Sequence, residues 1–372
     1  MFKIFRVLFI ILLFTNSNYA ETIKSKSGAF YLKKVEFSDL KNWKNDNVIA
    51  GVQAFLKSCD QMAKMNKNKI LSKELYDIQV KDLRNVCDIA EVIAGTSSND
   101  TRIFFESWFT PYLVVDKEEG KNGLFTGYYE PTISASETRN EEYCFPIYKR
   151  PDDLTNLPYF SREEIENGAL VDKNLELFFT NDKVGLTFLQ IQGSGKLKLT
   201  NGTETKIAYN GKNNRDYTSI GSILLQNKYM KKKEINAKSI KEWFKNNPEK
   251  IDEVLNKNES YIFFKKRDDD YIRGTHGSIL TPFRSIAIDY RLLPFGFPFW
   301  LETKIQENDK IFKFQKLVVS QDTGTAIRGA VRADIYFGDD EKAEELASKM
   351  KFKGKYYILL PNNIVEKIKS KN

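Results

Sequence analysis

The sequence predicts an α+β protein, mainly β with helices gathered towards its N-terminus, and three observations carry that. Between residues 48 and 109, apolar residues recur at three- and four-residue spacing, the helical period. From Gly123 onward the pattern changes to short alternating runs broken by Gly, Pro and Asn, which marks strands and turns. A composition shift near residue 130 and the charged run KKRDDD at 265–270 bracket a middle segment. They predict a second, β-rich domain, 130–267, inserted into a discontinuous one made of 21–129 and 268–372, with a substrate groove between the two.

The chain has 372 residues, 41% hydrophobic and 13% aromatic, which is core enough for two globular domains. Residues 1–20 read as a separate unit: Lys3 and Arg6 precede an apolar run at 7–14, then polar residues lead to Ala20, the layout of a secretory signal peptide. The run is shorter than the roughly 20 residues of a membrane span. An exported protein with no stable span after signal cleavage is therefore expected. The first cysteine is Cys59, too far from the cleavage site to accept a lipid, so any outer-membrane association would need another basis. The net charge of +8, or +6 without Lys3 and Arg6, suits anionic wall polymers or a membrane surface. No basic stripe interleaved with aromatics points to nucleic acid.

The predicted helices cover 48–65, 71–92 and 102–109, the last preceded by Asn99 and Asp100 as caps. Cys59 and Cys87 lie on the first two, where they either form a disulfide in an oxidising compartment or serve as buried small hydrophobes; Cys144 is left over. Strands follow at 124–129, 187–191 and 196–200, then helices at 219–227 and 239–246, ended by Pro248. Strands return after the charged run, and a helix at 340–350 and a strand at 356–360 close the pattern.

Chemistry is narrowed by scarcity. The only histidine is His276, in a Gly-flanked turn where a polar surface role is the ordinary expectation. One histidine and scattered cysteines supply neither a metal site nor a convincing Ser-His-Asp triad. The segment Gly193-Ser194-Gly195-Lys196 lacks the earlier glycine of a phosphate loop and has Leu197 where a hydroxyl should hold magnesium. Read as a strand, 187–191 would instead project Gln190 and Gln192 with Phe188 from one face. Thr126, Tyr128 and Tyr129, around Gly127, offer similar hydroxyls and rings. Amides, hydroxyls and aromatics together suit sugars.

Carboxylates carry the most weight. In 331–337, Val331, Ala333, Ile335 and Phe337 share one face and Arg332, Asp334 and Tyr336 the other, so Asp334 points out of a core. Asp322 ends the apolar run at 317–319 and Asp289 closes the alternating run at 286–288. Glycosidic cleavage needs an acid on the leaving oxygen, and hydrolases usually add a second carboxylate. A single strand-end aspartate is ordinarily a turn cap, which fits Asp322 in its Asp-Thr-Gly turn better than it fits Asp334. Arg332 shares Asp334's face, so either Arg332 turns to another partner and leaves an available acid, or Asp334 is an ion-pair residue.

The order of FFESWFTP at 104–111, GLFTGYYEP at 123–131, FPIY at 145–148, FLQIQGSG at 188–195, LTPFRSIAID at 280–289, and QDTG at 321–324 followed by RADIYFG at 332–338 resembles the membrane-bound lytic murein transglycosylase A family, whose C-terminal part is called the three-aspartate domain. That resemblance implies a double-psi β-barrel built from the N- and C-terminal parts. It also implies non-hydrolytic cleavage of the β-1,4 bond between N-acetylmuramic acid and N-acetylglucosamine, giving 1,6-anhydromuramoyl products. It assigns the acid, later the base, to Asp334, with Asp322 and Asp289 in support and Thr126, Tyr128, Tyr129, Gln190, Gln192 and Ser194 along the groove. Peptidoglycan strands would be the partner of a monomer needing no cofactor or metal, with cell-wall assembly partners unidentified. A two-carboxylate glycan hydrolase and a non-catalytic wall-binding protein are the alternatives.

Overall fold

The computed structural model describes residues 21–155, 157–267, 271–308 and 310–371, so the expected signal peptide and the acidic end of the charged run lie outside it. Six strands close into a barrel: β1 (Gly123–Tyr128), β2 (Ser285–Ile288), β3 (Pro298–Glu307), β4 (Lys310–Asp322), β5 (Arg332–Tyr336) and β6 (Lys351–Pro361). Around the barrel the order is β1-β6-β3-β4-β2-β5, and β5 returns to β1. The β2–β4 and β1–β5 pairs are parallel and the other four antiparallel, the mixed arrangement of a double-psi barrel. Closure needs close approach at the start of β1, where a Cβ on Gly123 would lie 1.4 Å from the Val331 carbonyl oxygen, so only glycine fits.

The strands Thr22–Lys24, Phe30–Lys34 and Phe109–Asp116 extend this sheet from the second half of β6. Helices α1 (Val48–Ala63), α2 (Arg84–Ile93) and α3 (Ser98–Trp108) share its core, where Phe55, Phe105, Trp300 and Tyr356 are fully buried. Cys59 and Cys87 form a disulfide between α1 and α2, and Cys144 remains a free thiol. Inside the barrel wall Arg284 grips Asp46 through two bonds of 2.7 and 2.9 Å, and Asp46 also accepts the Leu317 amide at 2.9 Å.

Three parts of the sequence expectation change. The helix expected at 71–92 is only α2; Tyr76 and Asp77 adopt left-handed φ values of 58° and 59°, which break a helix, and two short strands flank them. The region around 109 turns into the strand Phe109–Asp116, in which Pro111 cannot continue a helix. The strand expected at 187–191 is a helix, α4 (Lys183–Gln192), started by Asp182 accepting the Gly185 amide at 2.7 Å and ended by Gly193 at φ 85°. Every residue from Val184 to Gln190 on α4 is buried, so its apolar run shows no helical stripe.

Between Thr132 and Arg267 the chain builds a separate four-stranded sheet in the order Ile262–Arg267, Glu204–Lys212, Ser194–Leu199, Thr132–Ala135. Its core of Ile133, Phe178, Leu189, Leu197, Ile207 and Phe264 is distinct from the barrel core. A helical cluster around Ile220, Leu224, Ile240 and Phe244 packs beside it. This segment is tied to the barrel by Arg267 to Glu130 at 2.9 Å, Lys241 to Glu344 at 2.6 Å, and the Lys196–Asp339 ion pair.

Candidate active site

Strand order brings the carboxylates together. Ala287 of β2 stands opposite Asp334 of β5 on one side and opposite Asp322 of β4 on the other, while Asp334 stands opposite Thr126 of β1. Opposed residues project from the same face of a sheet. The neighbours Ala333 and Ile335 are fully buried, so Asp334 and Thr126 project away from the barrel core.

Asp322 reaches this face through a β-bulge. Ile286 pairs with Ser320, but Ala287 pairs with Asp322, leaving Gln321 as an extra residue. Gln321 turns inward, fully buried, where its amide donates to the Ala54 carbonyl at 2.9 Å and Ser58 Oγ at 2.8 Å and accepts from Ser285 Oγ at 2.5 Å. Without the extra residue, Asp322 would fall on the inner face.

The three aspartates differ in what occupies their oxygens. Asp334 Oδ1 accepts from Thr126 Oγ1 and from Arg332 Nη1, and Arg332 Nη2 also reaches Thr126 Oγ1 at 3.0 Å. No hydrogen bond reaches Asp334 Oδ2 among the described residues, and the side chain is 20% exposed. Arg332 therefore does not turn elsewhere: it is part of the site and holds one oxygen while the other stays open.

Asp322 is filled instead. Its Oδ1 accepts the Thr275 amide at 2.8 Å, Thr275 Oγ1 at 2.9 Å and the Thr323 amide at 2.9 Å, and its Oδ2 accepts the Tyr128 hydroxyl at 3.0 Å. Burial pushes the Asp322 carboxyl above the usual carboxylate range, and these four bonds oppose that rise. Burial, then the Asp322 charge, pushes the Tyr128 hydroxyl well above its ordinary value. Asp289 is fully buried and engaged with Arg291, through Nε at 2.8 Å and Nη2 at 2.5 Å, and with the Gly329 amide at 3.1 Å. Burial works to raise its pKa, but those donors prevail and hold it below the ordinary value.

Thr126, Tyr128, Asp322 and Asp334 thus converge, and Asp289 is adjacent but closed. Tyr129 does not line the groove, because strand alternation sends it into the barrel core, 6% exposed. Gln190 does not line it either. On a helix it lies on a different side from Gln192, and its Oε1 is held at 2.6 Å by the buried Arg162. Gln192 accepts the Tyr129 amide at 3.3 Å at the junction of insert and barrel, with Ser194 half-buried two residues on.

Two neighbours of these carboxylates escape sequence reasoning. Tyr217, in an irregular loop of the insert, lies within electrostatic reach of Asp334; burial and then that charge raise its hydroxyl above the ordinary value. Its loop is fastened by Asn213, which donates to the Phe160 carbonyl at 2.9 Å and the Glu259 carbonyl at 2.7 Å, and by the Thr218 amide to Asn258 at 3.1 Å. Thr275 sits beside Asp322 because Gly274 lets the chain pass where a Cβ would lie 2.3 Å from the Gln321 carbonyl oxygen. Neither position carries a periodic or motif signal. His276, next to Thr275, is 5% exposed and not a surface residue.

Fold and geometry together define a double-psi barrel protein with Asp322 and Asp334 side by side on one face of the barrel wall. Family models agree: the MltA specific insert domain matches residues 124–265 and the 3D domain residues 284–360. Membrane-bound lytic murein transglycosylase A of Escherichia coli K12 is 31% identical over 268 residues, 71% of this chain and 72% of that protein. The chain belongs to the membrane-bound lytic murein transglycosylase A family. A homolog from Buchnera aphidicola is 27% identical over 96% of both chains. Among solved structures, the membrane-bound lytic murein transglycosylase of Agrobacterium tumefaciens superposes with a TM-score of 0.79 at 27% identity, covering 91% of this chain and 99% of that one. The E. coli protein solved with bound chitohexaose gives a TM-score of 0.69 at 27% identity, covering 84% and 90%.

Proposed function

We propose that this protein is a peptidoglycan lytic transglycosylase that breaks the β-1,4 bond between N-acetylmuramic acid and N-acetylglucosamine and leaves a 1,6-anhydromuramoyl end. One observation carries the reading: of the three aspartates, only Asp334 keeps a carboxyl oxygen without a hydrogen bond among the described residues. A two-carboxylate hydrolase needs a second carboxylate to activate water or to attack. Asp322 holds four donors, and Asp289 is buried against Arg291 and Gly329.

One carboxyl suffices for a non-hydrolytic cleavage. The proton on Asp334 Oδ2 passes to the glycosidic oxygen as the bond from the muramoyl C1 breaks. The muramoyl C6 hydroxyl oxygen then closes on C1 and gives its proton back to Asp334, so no water is consumed. Arg332 and Thr126 fix Oδ1, which orients Oδ2 towards the groove and suits the carboxylate that receives the second proton. The ionised form of Asp322, oriented by Tyr128 and Thr275, would stabilise positive charge developing at C1. Asp289 acts by holding the loops at 291 and 329.

On this reading the barrel formed by 21–129 and 268–372 supplies the acid, and residues 130–267 supply the opposing wall with Gln192, Ser194 and Tyr217. The substrate is peptidoglycan, which places the protein in the periplasm. Among the described residues no helix is long and apolar enough to cross a membrane.

The test is Asp334→Asn, which retains an acceptor for Thr126 and Arg332 but cannot supply the proton. Purified sacculi treated with the unaltered protein should release 1,6-anhydromuropeptides, read by mass spectrometry. The variant should lose roughly 10²- to 10⁴-fold in rate with unchanged thermal stability. Reducing ends in place of anhydro ends, or undiminished release by the variant, would overturn the proposal.

A further inference from the structure

We propose that Tyr290 is a sugar-stacking platform beyond the cleavage point, which sets this enzyme's preference for longer glycan strands; the inference rests on the transglycosylase reading. Tyr290 is 52% exposed, although it lies directly after the fully buried Asp289. Its ring stacks on Phe295 with centroids 5.7 Å apart and planes within 9°. Phe295 thus backs the ring in an offset stack, while about half of the residue stays open to solvent. A flat aromatic face held open to water matches the apolar face of a pyranose ring, as sugar-recognising aromatics require.

The platform is joined to the site by contacts. Phe295 packs against His276 at 5.8 Å, His276 follows Thr275, and Thr275 donates twice to Asp322. On the other side, Thr323, next to Asp322, donates its hydroxyl to the Ile288 carbonyl at 2.7 Å, where β2 ends. Ala287, which lies between Asp322 and Asp334, is three residues from Tyr290, so the two Cα atoms are no more than about 11 Å apart. Within that bound, a strand held at Asp334 would bring a neighbouring sugar over the ring.

The loop is also rigid. The Leu292 and Leu293 amides both donate to the Asp289 carbonyl at 3.0 Å, and the Gly296 amide donates to the Ser320 carbonyl at 2.6 Å. The side chains of Leu293 and Phe297 anchor it in the core at 1% and 0% exposure. A ring fixed in this way loses little freedom when a sugar settles on it, so stacking energy appears as affinity.

The experiment uses the full chain and peptide-free glycan strands fractionated by length, with anhydro ends counted at initial rate. Tyr290→Ala should raise KM on long strands by roughly fivefold to tenfold, the size of one lost stacking contact, while kcat changes far less. On the shortest cleavable strands the shift should vanish. Tyr290→Trp should restore the long-strand KM, and a circular dichroism spectrum checks the fold of both variants. If the unaltered protein makes no anhydro ends, the transglycosylase reading fails. If it does, and Tyr290→Ala shows the same KM at every length or a uniform loss of kcat, the platform fails alone.

Discussion

His276 should couple the pH of the medium to the turn that carries Thr275 to Asp322. It is 5% exposed, its Nδ1 lies 2.6 Å from Ser278 Oγ, and its Nε2 is buried without a hydrogen-bond partner among the described residues. Burial, and secondly the charge of Lys69, lower its pKa from 6.5 to about 4. The folded value lies below the unfolded one, so the unfolded chain takes the proton first. The stabilisation is whole above pH 6.5 and drains away as pH falls towards 4. At about 1.4 kcal/mol per pH unit, the neutral imidazole contributes up to roughly 3 kcal/mol at neutral pH relative to pH 4. Protonation would leave a charged, buried N–H without an acceptor among the described residues and strain the turn that carries Thr275 to Asp322. Urea unfolding of the protein and of His276→Gln across pH 7.5 to 4 isolates this contribution, because all other groups are common to both. The stability difference should shrink in favour of the variant by that amount below pH 6.5. As His276 is the chain's only histidine, one imidazole NMR signal reports its titration directly. A midpoint near 6.5, or parallel stability profiles, would refute the reasoning.

Three further outcomes follow from named contacts. Tyr128→Phe removes the donor to Asp322 Oδ2 and should lower kcat by roughly tenfold, from the loss of about 1.5 kcal/mol of a charge-assisted bond, with KM little changed in strand-cleavage assays. Arg284→Met leaves Asp46 buried with the Leu317 amide and should cost about 3–5 kcal/mol in a denaturant titration. Reducing the disulfide between Cys59 and Cys87, 28 residues apart, should destabilise the protein by about 3–4 kcal/mol, seen as a lower Tm in dithiothreitol.

Much of the fold was legible where one face of an element is buried. The runs at 124–129 and 331–337 alternate because each is a barrel wall with a buried side and a more open side, and the helices at 219–227, 239–246 and 340–350 carry caps at Ser219, Asn236 and Asp340. Legibility failed where burial was total or local turns intervened. Helix α4 is buried from Val184 to Gln190, so its composition carries no period and reads as a strand, whereas Gln190 lies on a helix. The break at Tyr76 and Asp77 is a backbone conformation that neither residue announces.

For the candidate site, the residues themselves singled out three carboxylates, determined that Asp334 faces outward from a strand, and put Arg332 on the same face. Those are properties of a two-residue repeat, and they are local. Which aspartate stays available was decided only by the tertiary structure. The bulge at Gln321 turns Asp322 towards Asp334, yet Thr275 and Tyr128, distant in the chain, then fill its oxygens. Arg291 and Gly329 close Asp289 in the same way. Hydrogen-bond occupancy depends on donors that meet only when the barrel closes, so no spacing along the chain can record it.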